Sequence, residues 1–374
     1  MAKPILFSFF SGSGFLDLGF EKSGFDVQYV NEFHQPFLDA YKYTRKVMGI
    51  PEPKFGYSSA SIEELVDGDQ AKEFSAIVKK AKLQGELIGF IGGPPCPDFS
   101  VAGKNKGKDG ENGHLTQVYI NSIIKYKPDY FIFENVKGLW RTARHREFYE
   151  HVKSELEEAG YVLTNRLTNC IEYGAPQDRD RILLFGVKKS KAKSKSNEKL
   201  EIDFNWTSQL KYDRKTVLND LCWPERDTYE EEGSRAIPAA INDYVELTTE
   251  YWFEKNDVYN HPNSTHHFVP RAALPKFQRI DEGDDSKKSF KRLHRWRYSP
   301  TAAYGNNEVH LHPYKSRRLS AAEALAIQSL PKEFAFSDTM TLSNMFKTIG
   351  NGVPFLASQG LAKTVLEYLT KFTR

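Results

Sequence analysis

Of the three cysteines in this 374-residue chain, Cys96 has the most unusual frame. Gly92-Gly93-Pro94-Pro95-Cys96-Pro97-Asp98-Phe99-Ser100 places two glycines and two prolines ahead of it, a combination that fixes a rigid turn. An isolated cysteine is more often a small buried hydrophobe. One framed this tightly, directly after an apolar run, reads as a nucleophile acting through its thiolate. Glu134-Asn135-Val136 closes another apolar run and offers a carboxylate for proton transfer. Gln177-Asp178-Arg179-Asp180-Arg181 leads into a third, and alternate residues of an extended segment share one side. Ion pairing at strand ends is the commoner fate of such charges. Their convergence on the ends or starts of the strands of one sheet favours chemistry.

Two further segments suit ligands. Phe10-Ser11-Gly12-Ser13-Gly14-Phe15 lies where a strand turns into a helix, so its glycines let a ligand approach backbone N–H groups at a helix start. Glu32 follows the next apolar run, about twenty residues on, where a carboxylate can accept both ribose hydroxyls of an adenosine cofactor. Asp17 occupies the third glycine position of the dinucleotide fingerprint, so a nicotinamide oxidoreductase fits poorly. Residues 103–110 alternate glycines with Lys104, Lys106 and Lys108, which suits a lid closing on an anion.

Positioning these groups requires a sheet. The runs 5–10, 27–30, 87–91, 130–133 and 182–187 are nearly continuous in apolar residues, as in strands covered on both faces of a parallel sheet. Phe148, Val152, Leu156 and Ala159 share a helical face that Gly160 ends. This is the βαβ pattern of a doubly wound α/β domain. Residues 188–199 carry six lysines and one acid and read as a linker. Residues 200–315 show no clear period. Regular structure returns at the capping box Ser320-Ala321-Ala322-Glu323, and a last helix follows Pro354.

The net charge of +3 does not itself announce a polyanionic partner. Its segregation says more: 225–257 hold ten acids against three basic residues, and 271–297 nine basic residues against four acids. Three scattered cysteines exclude a disulfide framework and suggest a reducing compartment, and no cluster of metal ligands stands out. No apolar run is long enough to span a bilayer. The apolar start is too short for a signal peptide, and acids follow soon after.

Taken together, these segments resemble the DNA cytosine-5 methyltransferases. Residues 10–21 (FSGSGFLDLGFE), 31–33 (NEF) and 92–100 (GGPPCPDFS) resemble the family's first, second and nucleophile motifs. FENV at 133–136 and QDRDR at 177–181 follow in family order, then RRLSAAEALAIQSLP at 317–331 and IGNGVP at 349–354. The resemblance implies a Rossmann-like methyltransferase sheet over 1–189, an inserted target-recognition domain over 190–315, and C-terminal motifs at 316–374 returning to the catalytic domain. It implies Cys96 as nucleophile, Glu134 as proton donor at the base, Arg181 holding its O2, and Arg179 supporting the Cys96 loop. It further implies S-adenosylmethionine, released as S-adenosylhomocysteine, bound by Phe10, Gly12, Ser13, Gly14, Phe15, Glu32, Phe33, Ser61, Ile62, Pro95, Leu115, Asn351 and Val353.

This chain departs from the family pattern at four places. Pro97 and Asp98 follow the nucleophile, Ser61 stands for an aspartate, Phe15 for a glycine and Ala322 for an arginine. None removes a reacting group.

The implied partner is double-stranded DNA, contacted by Ser100, Lys104, Lys106, Lys108 and, in the insert, by Arg292, Arg295 and Arg297. The expected protein is a monomer in the cytoplasm of a prokaryotic cell, without membrane or metal; a restriction endonuclease of the same system would form no stable complex with it. A tRNA cytosine-5 methyltransferase is the nearest alternative, and the long insert favours duplex DNA. A non-catalytic regulator is opposed by intact Cys96, Glu134 and Arg181.

Overall fold

The computed structural model describes residues 3–95, 111–141, 143–287, 289–304 and 308–373. Strands β1 (Ile5–Phe9), β2 (Asp26–Asn31), β3 (Tyr57–Ser58), β4 (Ile88–Gly92), β5 (Tyr130–Val136), β6 (Tyr161–Asn169) and β7 (Asp180–Lys188) form one sheet. Their order is β3-β2-β1-β4-β5-β7-β6. The first five strands pair in parallel, and β7 runs antiparallel to both β5 and β6.

The doubly wound α/β reading therefore stands, with one correction. The chain from β5 to β7 is not a single βαβ unit, because β6 lies between. It is an edge strand whose apolar start, Tyr161-Val162-Leu163, gives way to polar residues, so no period-2 or continuous apolar signal marked it. A short connection then returns the chain beside it, which two neighbouring strands accept only in antiparallel sense.

Alternation along the strands sends residues to two apolar layers. Phe7, Phe9, Phe90, Phe131 and Phe133 pack one face under α3 (Ile62–Val66), α4 (Ala71–Lys82), α5 (Glu111–Tyr126), the single turn α6 (Gly138–Arg141) and α7 (Ala143–Glu158). Leu6, Ile91, Ile132, Leu183 and Phe185 pack the other, covered by α1 (Phe15–Glu21), α2 (Gln35–Val47) and the C-terminal α13 (Phe355–Phe372). Helix α7 is the one expected from Phe148, Val152 and Leu156, and Gly160 at φ 97° follows its end.

The linker reading of 188–199 is also corrected. Ala192 and Ser194 are fully buried, Lys193 donates its N–H to Phe372 O at 2.7 Å, and Ala192 bridges to Thr373. Helix α8 (Asn197–Asp203) then delivers Leu200, Phe204 and Trp206 into the core beside Val162, Phe185 and Tyr368. Lysines on the outer positions disguised a segment whose small and apolar residues point inward. The insert proper has few regular elements, chiefly 3-10 turns, α9 (Thr249–Lys255) and the single turn α10 (Leu274–Phe277). Its Trp252, Phe253, Leu293 and Val309 share a core with α11 (Ala321–Ile327) and α12 (Leu342–Asn351). The capping box at Ser320 and Glu323 opens α11 as expected.

Phe204 stacks on Phe185 at 4.4 Å and is fully buried. Phe204→Ala should therefore cost about 3–5 kcal/mol, the usual loss for deleting a buried aromatic. Urea unfolding measures it. A loss under about 0.5 kcal/mol, typical of surface positions, would restore the linker reading.

Candidate active site

The parallel strands end at one edge, and the candidate groups gather there. Beyond Phe9 the backbone turns through Phe10 at φ 52°, Gly12 at 56° and Gly14 at 80°. At Gly14 a side chain is barred twice, since a Cβ there would meet Tyr41 and Arg45 at 2.5–2.6 Å. Glu32, just past β2, accepts the Gly12 N–H on Oε2 and the His34 N–H on Oε1, both at 2.8 Å. Burial holds its carboxyl above the ordinary value, opposed by these two donors and by Lys347. Phe33 beside it is 70% exposed. A fixed carboxylate next to an open aromatic ring, over a loop of positive-φ glycines, fits a nucleoside.

Ser13 Oγ lies 2.8 Å from Thr348 Oγ1, which ties this loop to α12. Asn351 ends that helix, exposed, and Val353 is buried with Cys170 and Ala357. Ser61 caps α3 by accepting the Glu64 N–H at 3.4 Å. Pro95 and Leu115 are half-buried. Two predicted contacts are corrected for their side chains. Ile62 is buried in the core, and Phe15 is 2% exposed, set edge-on to Phe334 at 5.1 Å, in space that a Cβ on Gly352 would occupy. Only their backbone can face a ligand.

On the neighbouring strands, Glu134 Oε1 and Arg181 Nε are 2.6 Å apart, each side chain 11% exposed. Gly93 makes room for this carboxylate, for a Cβ there would lie 2.5 Å from Glu134 Oε2. Arg179 is buried, and burial lowers its guanidinium to about 9. It donates to Ala302 O at 3.2 Å and Gly350 O at 2.8 Å. Cys96, Ser100, Lys104, Lys106 and Lys108 lie outside the described residues. Cys170, near both arginines, is buried, and burial pushes its thiol up to about 12.

A family model described as C-5 cytosine-specific DNA methylase matches residues 6–367. The chain belongs to that family. It is 60% identical over 367 residues to the Type II methyltransferase M.NmeDI of Neisseria meningitidis serogroup C, covering 98% of this chain and 84% of that protein. The Type II methyltransferase M.FnuDI of Fusobacterium nucleatum is 27% identical, covering 98% and 95%. In fold alone, a DNA modification methyltransferase encoded within an E. coli prophage matches with a TM-score of 0.62 at 22% identity, covering 99% and 100%. The protein is thus a DNA cytosine-5 methyltransferase. Among its described residues no helix is long and apolar enough to cross a membrane.

In this methyltransferase two of the three arginines proposed for DNA are corrected. Arg292 is fully buried and donates to Ile280 O at 2.8 Å, Phe277 O at 2.6 Å and Lys315 O at 3.1 Å. Arg295 clasps Glu282 through Nε at 2.8 Å and Nη2 at 2.9 Å, and also reaches Gly233 O. The acidic and basic stretches meet directly, through Asp227 with His294 at 3.0 Å, Arg235 with Glu282 at 3.3 Å and Arg226 with Asp284 at 3.3 Å. Arg297 alone of the three stays half-buried at the surface.

Sequence reasoning also missed a buried cluster behind the glycine loop. Arg45 pairs with Glu21 at 2.9 Å, donates to Gly14 O at 2.7 Å, and lies 4.2 Å from the Tyr41 ring centre. Asp17, which accepts from Ser8 Oγ at 2.8 Å, lies in the same cluster. The i, i+4 spacing of Asp17 and Glu21 on α1 was the available signal.

Burial pushes the Asp17 carboxyl up to about 7, against the opposing pull of Arg45. The native state then holds a proton that the unfolded chain releases near pH 4. Stability from this group is complete below that value and declines as pH rises to about 7. Relative to Asp17→Asn, the wild type should lose up to about 4 kcal/mol across that window. Urea unfolding of both proteins at pH 4.5, 6 and 7.5 measures the difference, and parallel curves would exclude the shift.

Proposed function

We propose that Cys96 is the nucleophile of this DNA cytosine-5 methyltransferase and that Glu134, held by Arg181, is its proton donor. The observation that carries the reading is the 2.6 Å Glu134–Arg181 pair at the carboxyl edge, one strand from the segment leading to Cys96. Of the other cysteines, Cys170 is buried with a raised thiol pKa and is a poor source of thiolate.

Carbon C5 of cytosine is too weakly nucleophilic to be methylated unaided. The Cys96 thiolate forms a bond to C6, and the electrons of the C5–C6 double bond pass into the ring, where N3 takes a proton from Glu134. C5 of the resulting enamine is nucleophilic. Arg181 keeps Glu134 in place and holds O2 of the ring. After methylation, removal of the C5 proton returns an electron pair that expels Cys96. The target base must leave the duplex to meet these groups, since C6 is shielded within the stack.

The methyl donor in this reading is S-adenosylmethionine, which supplies the methyl group as an electrophilic sulfonium. Glu32 would accept its ribose hydroxyls, Phe33 would lie against its adenine, and backbone at Phe10, Gly12 and Gly14 would line the remainder. Ser61, Pro95, Leu115, Asn351 and Val353 complete the proposed pocket, and Arg179 positions the segments around it. The lysines at 104, 106 and 108 are proposed to contact DNA phosphates.

A duplex carrying 5-fluorocytosine at the target cannot lose its C5 substituent, so the adduct is trapped. Wild type should give a denaturation-resistant protein–DNA band that depends on the cofactor, and Cys96→Ala should give none. Undiminished trapping by Cys96→Ala would move the nucleophile elsewhere. Glu134→Gln should slow methylation roughly 10²-fold or more, in the upper part of the range for general acids.

For the cofactor, Glu32→Ala removes a charged acceptor whose hydrogen bonds are commonly worth about 1.5–3 kcal/mol. Calorimetry should report S-adenosylmethionine bound roughly 10–150-fold more weakly. Unchanged binding would displace the ribose from Glu32.

A further inference from the structure

A groove of about 510 Å³ opens in the insert, lined by Trp223, Glu225, Arg226, Asp285, Arg297 and Tyr298 among others. Trp223 and Tyr298 form its aromatic wall, edge-to-face at 5.2 Å and 85°. Trp223 is fixed by its indole N–H, which donates to Val217 O at 2.7 Å, and Tyr298 packs with Ile171 and Val217. The wall is therefore rigid.

Its location is set by the residue that follows. Ser299 donates its N–H to Pro176 O at 2.8 Å and accepts the Asp178 N–H at 2.9 Å. Arg297 thus stands two residues from a segment bonded directly to 176–178, which runs on into Arg179 and Arg181. The groove adjoins the catalytic edge.

Its chemistry is mixed in sign. Arg297 forms no ion pair among the described residues, and its guanidinium lies 5.4 Å from the Tyr298 ring centre. Arg226 pairs only loosely with Asp284, at 3.3 Å, and is half-exposed. Glu225 and Asp285 supply carboxylates to the same groove. A phosphate track would be uniformly basic, because carboxylates repel phosphate. Base edges present donors and acceptors together: an arginine fork matches the two acceptors of guanine, and a carboxylate accepts from the cytosine amine.

We propose that this groove reads base edges of duplex DNA beside the target cytosine, and that Arg297 is a specificity-determining residue within it. The proposal rests on the reading of Cys96 and Glu134 as a centre acting on duplex DNA.

The test is methylation of a duplex library with every position around the target varied, read by bisulfite sequencing. Arg297→Ala should relax discrimination at one base position by roughly 5–150-fold, the equivalent of one bidentate base contact, and leave the other positions selective. Arg297→Lys keeps the charge and loses the fork, so it should relax the same position while retaining affinity for random DNA. If Arg297→Ala is too unstable to assay, Arg297→Lys decides alone.

Unchanged selectivity in Arg297→Lys overturns the proposal. So does uniform weakening on all sequences with the salt slope reduced by about one, which marks a phosphate contact. Trapping on 5-fluorocytosine duplex separates the two readings. Wild type that fails to trap indicts the Cys96 centre, whereas normal trapping with unaltered selectivity indicts the groove alone.

Discussion

Strand β7 runs against β5, and that antiparallel pairing makes the proposed active site possible. Glu134 lies near the end of β5, and Arg181 near the start of β7, where Val136 is its partner in register. Because the strands oppose each other, an end and a start meet at one edge. Were β7 parallel, Arg181 would sit at the far edge, some 20 Å away at about 3.3 Å per residue. The 2.6 Å contact between the two side chains thus depends on chain direction before it depends on any rotamer. Strand β6 sets that direction by returning the chain through the short segment 170–179.

This explains what could be read from the residues alone. Strands β1, β2, β4, β5 and β7 announced themselves because both faces of the sheet are covered, which leaves continuous apolar runs. The glycine loop was legible from its place between a strand and a helix, and Glu32, Glu134 and the two arginines because charges at strand ends are costly without a partner. Strand β6 was not legible, being an edge strand that turns polar after Tyr161-Val162-Leu163. Its absence led β5 and β7 to be read as a parallel βαβ pair, whereas they run antiparallel, as the meeting of Glu134 and Arg181 at one edge requires. Chemistry was in this respect a better guide to topology than hydrophobic pattern.

Charge was the weaker signal, for a physical reason. A basic stretch in sequence predicts a basic surface only if its side chains remain at the surface. Here the irregular insert has few ladders to satisfy its carbonyls, and Arg292 does that work with donors to several of them. Arg295 is held by a buried glutamate. The positive charges that seemed available for phosphates thus became struts of a domain poor in regular structure. Lysines at 188–199 misled in the opposite sense, by concealing the buried Ala192 and Ser194 between them.

Arg179 links these two halves of the molecule. It is fully enclosed, with burial lowering its pKa to about 9, and it donates to Ala302 in the segment leaving the insert and to Gly350 in α12. Gln177 Oε1 accepts the Ala302 N–H at 3.1 Å, and Ser299 accepts the Asp178 N–H on its carbonyl. Through Thr348 and Ser13 the same helix reaches the glycine loop. One hydrogen-bonded chain therefore runs from the end of the insert, past the proposed catalytic edge, to the glycine loop. A recognition element seated on this chain would share its frame with the proposed reacting groups, so the positions of a read base and of an extruded cytosine would be set by the same contacts.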